Sequence, residues 1–373
     1  VISGWTEEHD ELRAVLRRFL ADKAPLSAAH AAAEGDATGD AAVWAQMAHQ
    51  MGLQGLVVPE LYGGSGGGPV ELGVVMEEMG RALYVGPFYS TVALAAQTLV
   101  CIDDEVARRR WLPEIAAGTL TATVAVADDA LTFDTATVAT TAAESDVVDG
   151  AAWTVTGVKE FVVDGATADL ILVAARVGEQ MGLFAVAGDA PGLQRDPVPT
   201  IDFTRAVARV SLDGAAAVRV GGDVTEVLSR AGDLATAALA AEQIGGAGAA
   251  LDMAVEYAKM RVQFDRPIGT FQAIKHRCAD LLVAVESGRS AAFFAAALLA
   301  ENDPDGALAA SVAKAWCSAA YTKASKENIQ FHGGIGYTWE CDAHLYLRRA
   351  TASDVNLGAP AVHRRRIAEL VEM

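Results

Sequence analysis

The sequence predicts an α+β chain in three parts: an N-terminal α-helical domain over residues 1–117, a central β-barrel over 118–222 and a C-terminal four-helix bundle over 223–373. Three observations lead there. Apolar residues recur at helical spacing through the first third. Short β-rich runs separated by turn residues fill the next hundred residues. Long Ala/Leu-rich stretches, mostly free of interior proline, run from about residue 224 to the end.

The first helix is read from Leu12, Val15, Leu16, Phe19 and Leu20 on one face, behind an N-cap candidate at Thr6 and acids at Glu7 and Glu8. Trp44, Met47 and Met51 mark a helix that stops near Gly52. Residues 59–68 hold too much glycine for a helix and read as a loop. Helical period returns over 70–83, with Leu72, Val75, Met76 and Met79 inward and Glu77, Glu78 and Arg81 outward. Residues 92–100 and 105–115 extend the helical part. The β-rich runs are 121–127, 137–141, 153–156, 161–163, 170–174, 183–186 and 207–212. Asp149-Gly150, Asp164-Gly165, Gly188-Asp189 and Asp213-Gly214 punctuate them. The last part reads as helices over 228–260, 272–301, 307–331 and 359–371.

Composition narrows the function. The 373 residues are 52% hydrophobic, yet polar breaks interrupt every long run, so no transmembrane helix is expected. Residues 1–25 mix acids and arginines on an amphipathic pattern and do not read as a signal peptide. Cys101, Cys278, Cys317 and Cys341 are scattered, which fits reduced thiols of a cytoplasmic protein and no metal site. A formal charge of −19 disfavours nucleic acid and anionic membrane as partners. An anionic ligand must then find a local basic site, and Arg261 with Arg266 forms one.

The most informative motif is Gln330-Phe331-His332-Gly333-Gly334-Ile335-Gly336-Tyr337, about seventy residues after Arg261-Val262-Gln263-Phe264-Asp265-Arg266-Pro267-Ile268-Gly269. Paired glycines let a backbone approach something flat or anionic. An arginine three residues before a phenylalanine offers a phosphate fork beside an apolar plate. Together they resemble the C-terminal half of the acyl-CoA dehydrogenases. Tyr257 before Arg261, and Phe271-Gln272 after it, complete that family's central signature. Pro59-Glu60-Leu61-Tyr62-Gly63-Gly64, Glu77 through Ala82, and Leu347-Arg348-Arg349-Ala350 resemble its other signatures. The resemblance implies FAD, with Arg261, Phe264, Gln272, Gln330, Gly333 and Gly334 around its pyrophosphate and adenosine, usually in the neighbouring subunit. It places Phe161 beside the flavin ring.

The same resemblance exposes departures. In that family a carboxylate base removes the α-proton of the thioester, and the flavin accepts the β-hydride. At the usual base position this chain has Leu357. At the alternative, twenty-two residues before Tyr257, it has Ala235, followed by Thr236 where an arginine often helps bind substrate; Asp233 is retained. The loop that normally lies along substrate and flavin reads Val126-Ala127-Asp128-Asp129-Ala130-Leu131. The Trp-Ile-Thr that packs on the ring becomes Phe161-Val162-Val163, which keeps a plate and loses a donor. Glu242 and Glu340 are the substitute bases to weigh, each against a structural role.

The expected function is FAD-dependent α,β-dehydrogenation of an acyl-CoA thioester by a heteromer, with this chain as the subunit lacking the catalytic glutamate. The partner, in an α2β2 assembly, would carry that glutamate. An electron-transfer flavoprotein or similar acceptor would take the electrons. The chain most resembles paired actinobacterial subunits, some of which act on steroid side chains. The alternatives are a self-sufficient homotetramer with a relocated base and a flavin oxygenase on the same fold.

Overall fold

A computed structural model describes residues 4–35, 39–145 and 152–372. Among the described residues six helices longer than one turn come first: α1 Glu7–Lys23, α2 Leu26–Ala33, α3 Ala41–Met51, α4 Pro69–Ala82, α5 Tyr89–Cys101 and α6 Glu105–Ala116. The first part of α5, Tyr89–Ala96, is π-wound. Their ends follow local chemistry. Asp40 accepts the backbone N–H of Ala42 at 2.7 Å, and Gly52 closes α3 at φ +63°. Leu16 and Leu20 of α1 are buried, in keeping with the pattern read from them.

Glu77 and Glu78 do not face outward as expected; both are buried. α1 and α8 cover the second face of α4 and bring arginines with them. Arg13 reaches Glu77 at 2.6 Å, Arg289 reaches it at 2.7 Å, and Arg17 holds Glu78 at 2.6 Å. Helical period cannot distinguish a solvated acid from one paired across a helix crossing.

Among the described residues seven strands follow: β1 Ala122–Ala125, β2 Thr141–Glu144, β3 Trp153–Val163, β4 Leu170–Val177, β5 Gln180–Ala187, β6 Leu193–Pro197 and β7 Val207–Val220. The sheet runs β4-β2-β3-β7-β5, and β5 also pairs with β4, so it closes into a barrel; β1 lies on β4 and β6 on β7. Side chains alternate accordingly. Ile171, Val173 and Phe184 fill the barrel, whereas Leu170, Leu172 and Ala174 join the helical core. Asp213-Gly214 does not end a strand. β7 runs through it, with Gly214 at φ +61° and the register against β3 shifting between Val155 and Gly157. Asp149-Gly150 lies outside the described residues.

Five helices close the chain: α7 Thr225–Met260, α8 Gln272–Ala300, α9 Gly306–His332, α10 Ala343–Val355 and α11 Pro360–Leu370. A small hairpin, β8 Val262–Gln263 and β9 Arg266–Pro267, joins α7 to α8. Helices α4 and α7 cross backbone to backbone. A Cβ at Gly80 would sit 1.9 Å from the Glu242 carbonyl oxygen, and one at Gly245 would sit 1.8 Å from that of Glu77. α8 is long and apolar enough to cross a bilayer by length and composition alone. Here it is a bundle helix. Leu281, Val285 and Ala295 are buried, while Leu282, Val283 and Phe294 remain exposed.

A buried polar chain fastens α10 to α7 and α9. Gln243 donates to the Ser353 carbonyl at 2.9 Å, Ser318 donates to Gln243 at 3.1 Å, and Lys314 donates to Ser318 at 2.8 Å and the Asp354 carbonyl at 3.1 Å. Burial pushes the Lys314 ammonium down to about 8. Between that value and the ordinary lysine value near 10.5, the unfolded chain holds more protons, so this group's contribution to stability rises with pH. We expect the stability difference between wild type and Lys314→Met to shift in favour of wild type from pH 8 to pH 10. Urea titrations of the two proteins across that range check it. The comparison cancels the buried tyrosines and thiols, which titrate in both.

Candidate functional site

The groups expected to hold phosphate and adenosine lie at one end of the bundle. Arg261 ends α7, its N–H bonded to the Tyr257 carbonyl at 2.8 Å and its own carbonyl accepting from Ile268 at 2.8 Å. The β8–β9 turn places Phe264 and Asp265 at positive φ (53° and 60°), so Phe264 stands out from the surface at 85% exposure. Its ring meets Phe271 edge-on at 6.1 Å, and the Arg266 guanidinium lies 4.1 Å over Phe271. The Tyr257 ring stacks on His332 at 4.1 Å, which sets the last turn of α7 against the last turn of α9. Arg261, Gln272, Gln330 and the Gly333–Tyr337 turn thereby come to the same end. Gly333 sits at φ +67°, and a Cβ at Gly333 or Gly334 would meet nothing within 4 Å. Among the described residues no carboxylate pairs with Arg261 or Arg266 within 4.0 Å. An open glycine backbone beside unpaired guanidiniums fits a pyrophosphate.

In the opposite half of the expected site the base positions are tied into the protein's own hydrogen bonds and packing. Leu357 adopts φ +57°, donates its N–H to the Leu131 carbonyl at 2.8 Å and accepts from His363 Nε2 at 2.9 Å. Burial pushes the His363 imidazole down to about 4, so it is neutral. Ala235 is buried, Thr236 spends its hydroxyl on the Gly232 carbonyl at 2.7 Å, and Asp233 pairs with Arg366 at 2.5 Å.

The loop that carries Leu131 is tied at both ends. Asp128 accepts from the N–H of Ala139 at 2.7 Å and of Thr140 at 2.9 Å, and Lys159 at 2.6 Å. Phe133 packs where a Cβ on Gly232 would come within 2.8 Å of it. Cavities of only about 20 and 50 Å³ remain on the two sides of Leu131. One is lined by Phe161 and Leu357, the other by Arg205 and Asn356. They hold about a water or two and not a three-ring system.

Beside these positions an open cleft of about 660 Å³ remains, between the 129–137 loop, α7 and α11. Thr132, Ser229, Thr236, Leu357 and Arg366 line it. Asp129, Asp134 and Glu369 stand exposed on its rim. Sequence reading missed these three carboxylates, because only the closing of the loop over α11 brings them to the base position.

Glu242 is far from free. Its Oε1 takes Arg205 at 2.6 Å and Arg349 at 2.5 Å, and Arg349 Nε also holds Asp202 at 2.7 Å. Burial opposes the Glu242 charge, but the two guanidiniums prevail and keep its carboxyl below the usual range. Glu340 is exposed in the turn after Trp339, whose ring meets His344 at 4.7 Å.

A helical domain, a closed barrel and a helical bundle, with arginine, glutamines and glycines grouped at the bundle's end, define a flavoprotein dehydrogenase fold. Residues 6–119 match the family model for the acyl-CoA dehydrogenase N-terminal domain, and residues 227–371 match that for the C-terminal domain. The chain belongs to the acyl-CoA dehydrogenase family, and its fold is the FAD-binding fold of that family. It is 34% identical over 364 residues to the acyl-CoA dehydrogenase IpdE2 of Mycolicibacterium smegmatis, covering 97% of this chain and 98% of that protein. Its structure is similar to a variant of the Tcur3481–Tcur3483 steroid ACAD, with TM-score 0.87, 32% identity and 98% of each chain covered. It is also similar to the ChsE4–ChsE5 complex from Mycobacterium tuberculosis, with TM-score 0.88, 28% identity and coverage of 99% and 98%.

Proposed function

We propose that this chain is the non-catalytic subunit of a heteromeric acyl-CoA dehydrogenase, lending half of a flavin site to a partner that carries the base. The carrying observation is the division of its own site. The edge that would hold a neighbour's FAD is open and cationic, whereas its own ring seat is filled by Leu131 and its base positions hold Leu357 and Ala235. FAD, bound between the two chains, supplies a hydride acceptor. This chain's part is to hold it: Arg261 on the pyrophosphate, Gln272, Gln330 and the Gly333-Gly334 backbone around the adenosine side, and Phe264 as a plate. Phe161, 44% exposed beside Leu131 and Leu357, keeps its proposed place as a plate at the edge of that seat.

The exposed apolar residues Leu282 and Val283 on α8 and Val312 and Trp316 on α9 would be covered in an α2β2 assembly. Similarity to a steroid ACAD and to a two-protein complex supports a bulky, steroid-like acyl-CoA and a paired subunit. An electron-transfer flavoprotein or similar carrier is the proposed acceptor, and the cytoplasm, where four free thiols persist, the proposed location. The rival is a self-sufficient enzyme with its base on the cleft rim, which Asp129 favours by its place there.

Co-expression with an acyl-CoA dehydrogenase that has a glutamate at either base position tests the reading. The pair should be a stable yellow complex, and this chain alone should retain FAD poorly; a stoichiometric, stable yellow homotetramer would overturn it. Within the pair, Arg261→Ala should weaken flavin about ten- to hundredfold, the worth of one charge-assisted bidentate contact. Arg261→Lys should recover only part, since an ammonium lacks the fork. Flavin absorbance after gel filtration reads both.

A further inference from the structure

A second cavity, of about 360 Å³, lies on a different face of α7 from the cleft, between the start of α4, the end of α5 and the end of α8. Its walls include Val57, Val100, Leu234 and Leu299. That is the lower end of the size range of small-molecule pockets, and the lining is mainly apolar.

Two polar groups in it have bonding capacity that the protein does not use. Arg230 donates to the Leu299 carbonyl and to Asn302 Oδ1, the latter at 2.9 Å, with Nη2 alone. Among the described residues no acceptor meets its Nε or Nη1, and no carboxylate lies within 4.0 Å of it. Gln97 is 4% exposed; its Nε2 is spent on the Ala93 carbonyl at 2.9 Å, and no donor reaches its Oε1. That oxygen keeps a lone pair which a ligand or water in the cavity can engage.

We propose that this cavity is a binding site for an aliphatic monocarboxylate. The carboxylate accepts from Arg230 Nη1, the chain lies against Val57, Val100, Leu234 and Leu299, and a hydroxyl or bound water donates to Gln97. The inference does not depend on which subunit carries the base.

Cys101 lines the same cavity and is half-buried, which makes it a reporter. Calorimetry with octanoate, and maleimide labelling of the full chain read by peptide mass spectrometry, form the test. Octanoate should bind and slow labelling of Cys101 while leaving Cys278 and Cys341 unchanged. 1-Octanol, which keeps the chain and a hydroxyl but not the charge, should need at least about tenfold more, as expected for loss of a charge-assisted pair. Arg230→Gln should erase that preference. Because Arg230 also caps α8, Val100→Trp is the second variant; it fills the cavity, keeps the guanidinium and should abolish protection by both ligands. Equal protection by octanoate and octanol, protection that survives Val100→Trp, or absence of octanoate binding to the folded wild type would overturn the proposal.

Discussion

Replacing Arg349 with leucine should cost the fold about 3–5 kcal/mol, the usual penalty for removing one member of a buried ion-pair network. Arg349 is 2% exposed and touches three elements at once. From α10 it reaches Glu242 on α7 at 2.5 Å, Asp202 before β7 at 2.7 Å and the Tyr84 carbonyl after α4 at 3.3 Å. Leucine would leave Asp202 with no ion pair within 4.0 Å among the described residues, and Glu242 with Arg205 alone. Two carboxylates would then stay buried with half their compensation gone. Urea denaturation should show the loss as a shifted midpoint with little change in slope. The pH dependence gives an independent check. Glu242 is held below its ordinary range, so its stabilisation is present above the unfolded value near 4.3 and fades as pH falls through the lower folded value. Arg349→Leu should flatten that acid-side fall. A loss below about 1 kcal/mol would mean that the network is solvated and that α10 is held by packing and Lys314 instead.

That network shows where sequence reading ends. The three-part fold was legible because it rests on periodicities of 3.6 and 2 and on turn residues, all local quantities. The edge proposed to hold a flavin's phosphates could be picked out because a phosphate cradle needs particular residue types: Arg261, Gln330 and the glycines at 333 and 334. Gly80 and Gly245 carried no such signal. Each is helical, and their purpose appears only when α4 and α7 cross at backbone contact. Glu77, Glu78 and Glu242 read as ordinary helical acids until Arg13, Arg17, Arg205, Arg289 and Arg349 arrive from distant elements. The sealing of the ring seat was half legible. The altered residues from Val126 to Leu131 signalled a changed loop. That Leu131 fills the space and bonds Leu357 depends on a loop path that composition does not encode.

If the partner supplies the base, no carboxylate of this chain is needed to remove the α-proton, and its acids can be replaced one at a time without the loss a missing base brings. Glu242→Gln keeps the shape and one acceptor, yet it takes a charge from Arg205 and Arg349. We expect lower stability and, in the surviving assembled complex, turnover within about tenfold of wild type. Glu340→Gln changes an exposed side chain and should do neither. Asp129→Asn, Asp134→Asn and Glu369→Gln test the three rim carboxylates of the cleft, the substitutes that geometry adds among the described residues. They too should leave turnover within about tenfold, whereas the partner's glutamate-to-glutamine change should remove about 10²–10⁴ of the rate. Leu357→Glu in this chain should not create a second centre, because the Leu131 carbonyl already holds the backbone at 357 and the seat beside it admits no ring. Steady-state rates normalised to flavin content read every variant, so loss of cofactor is not mistaken for loss of chemistry. A roughly thousandfold fall in kcat for Asp129→Asn, Asp134→Asn, Glu369→Gln, Glu242→Gln or Glu340→Gln, with flavin and assembly intact, would place the base in this chain and make it an active enzyme with a relocated carboxylate.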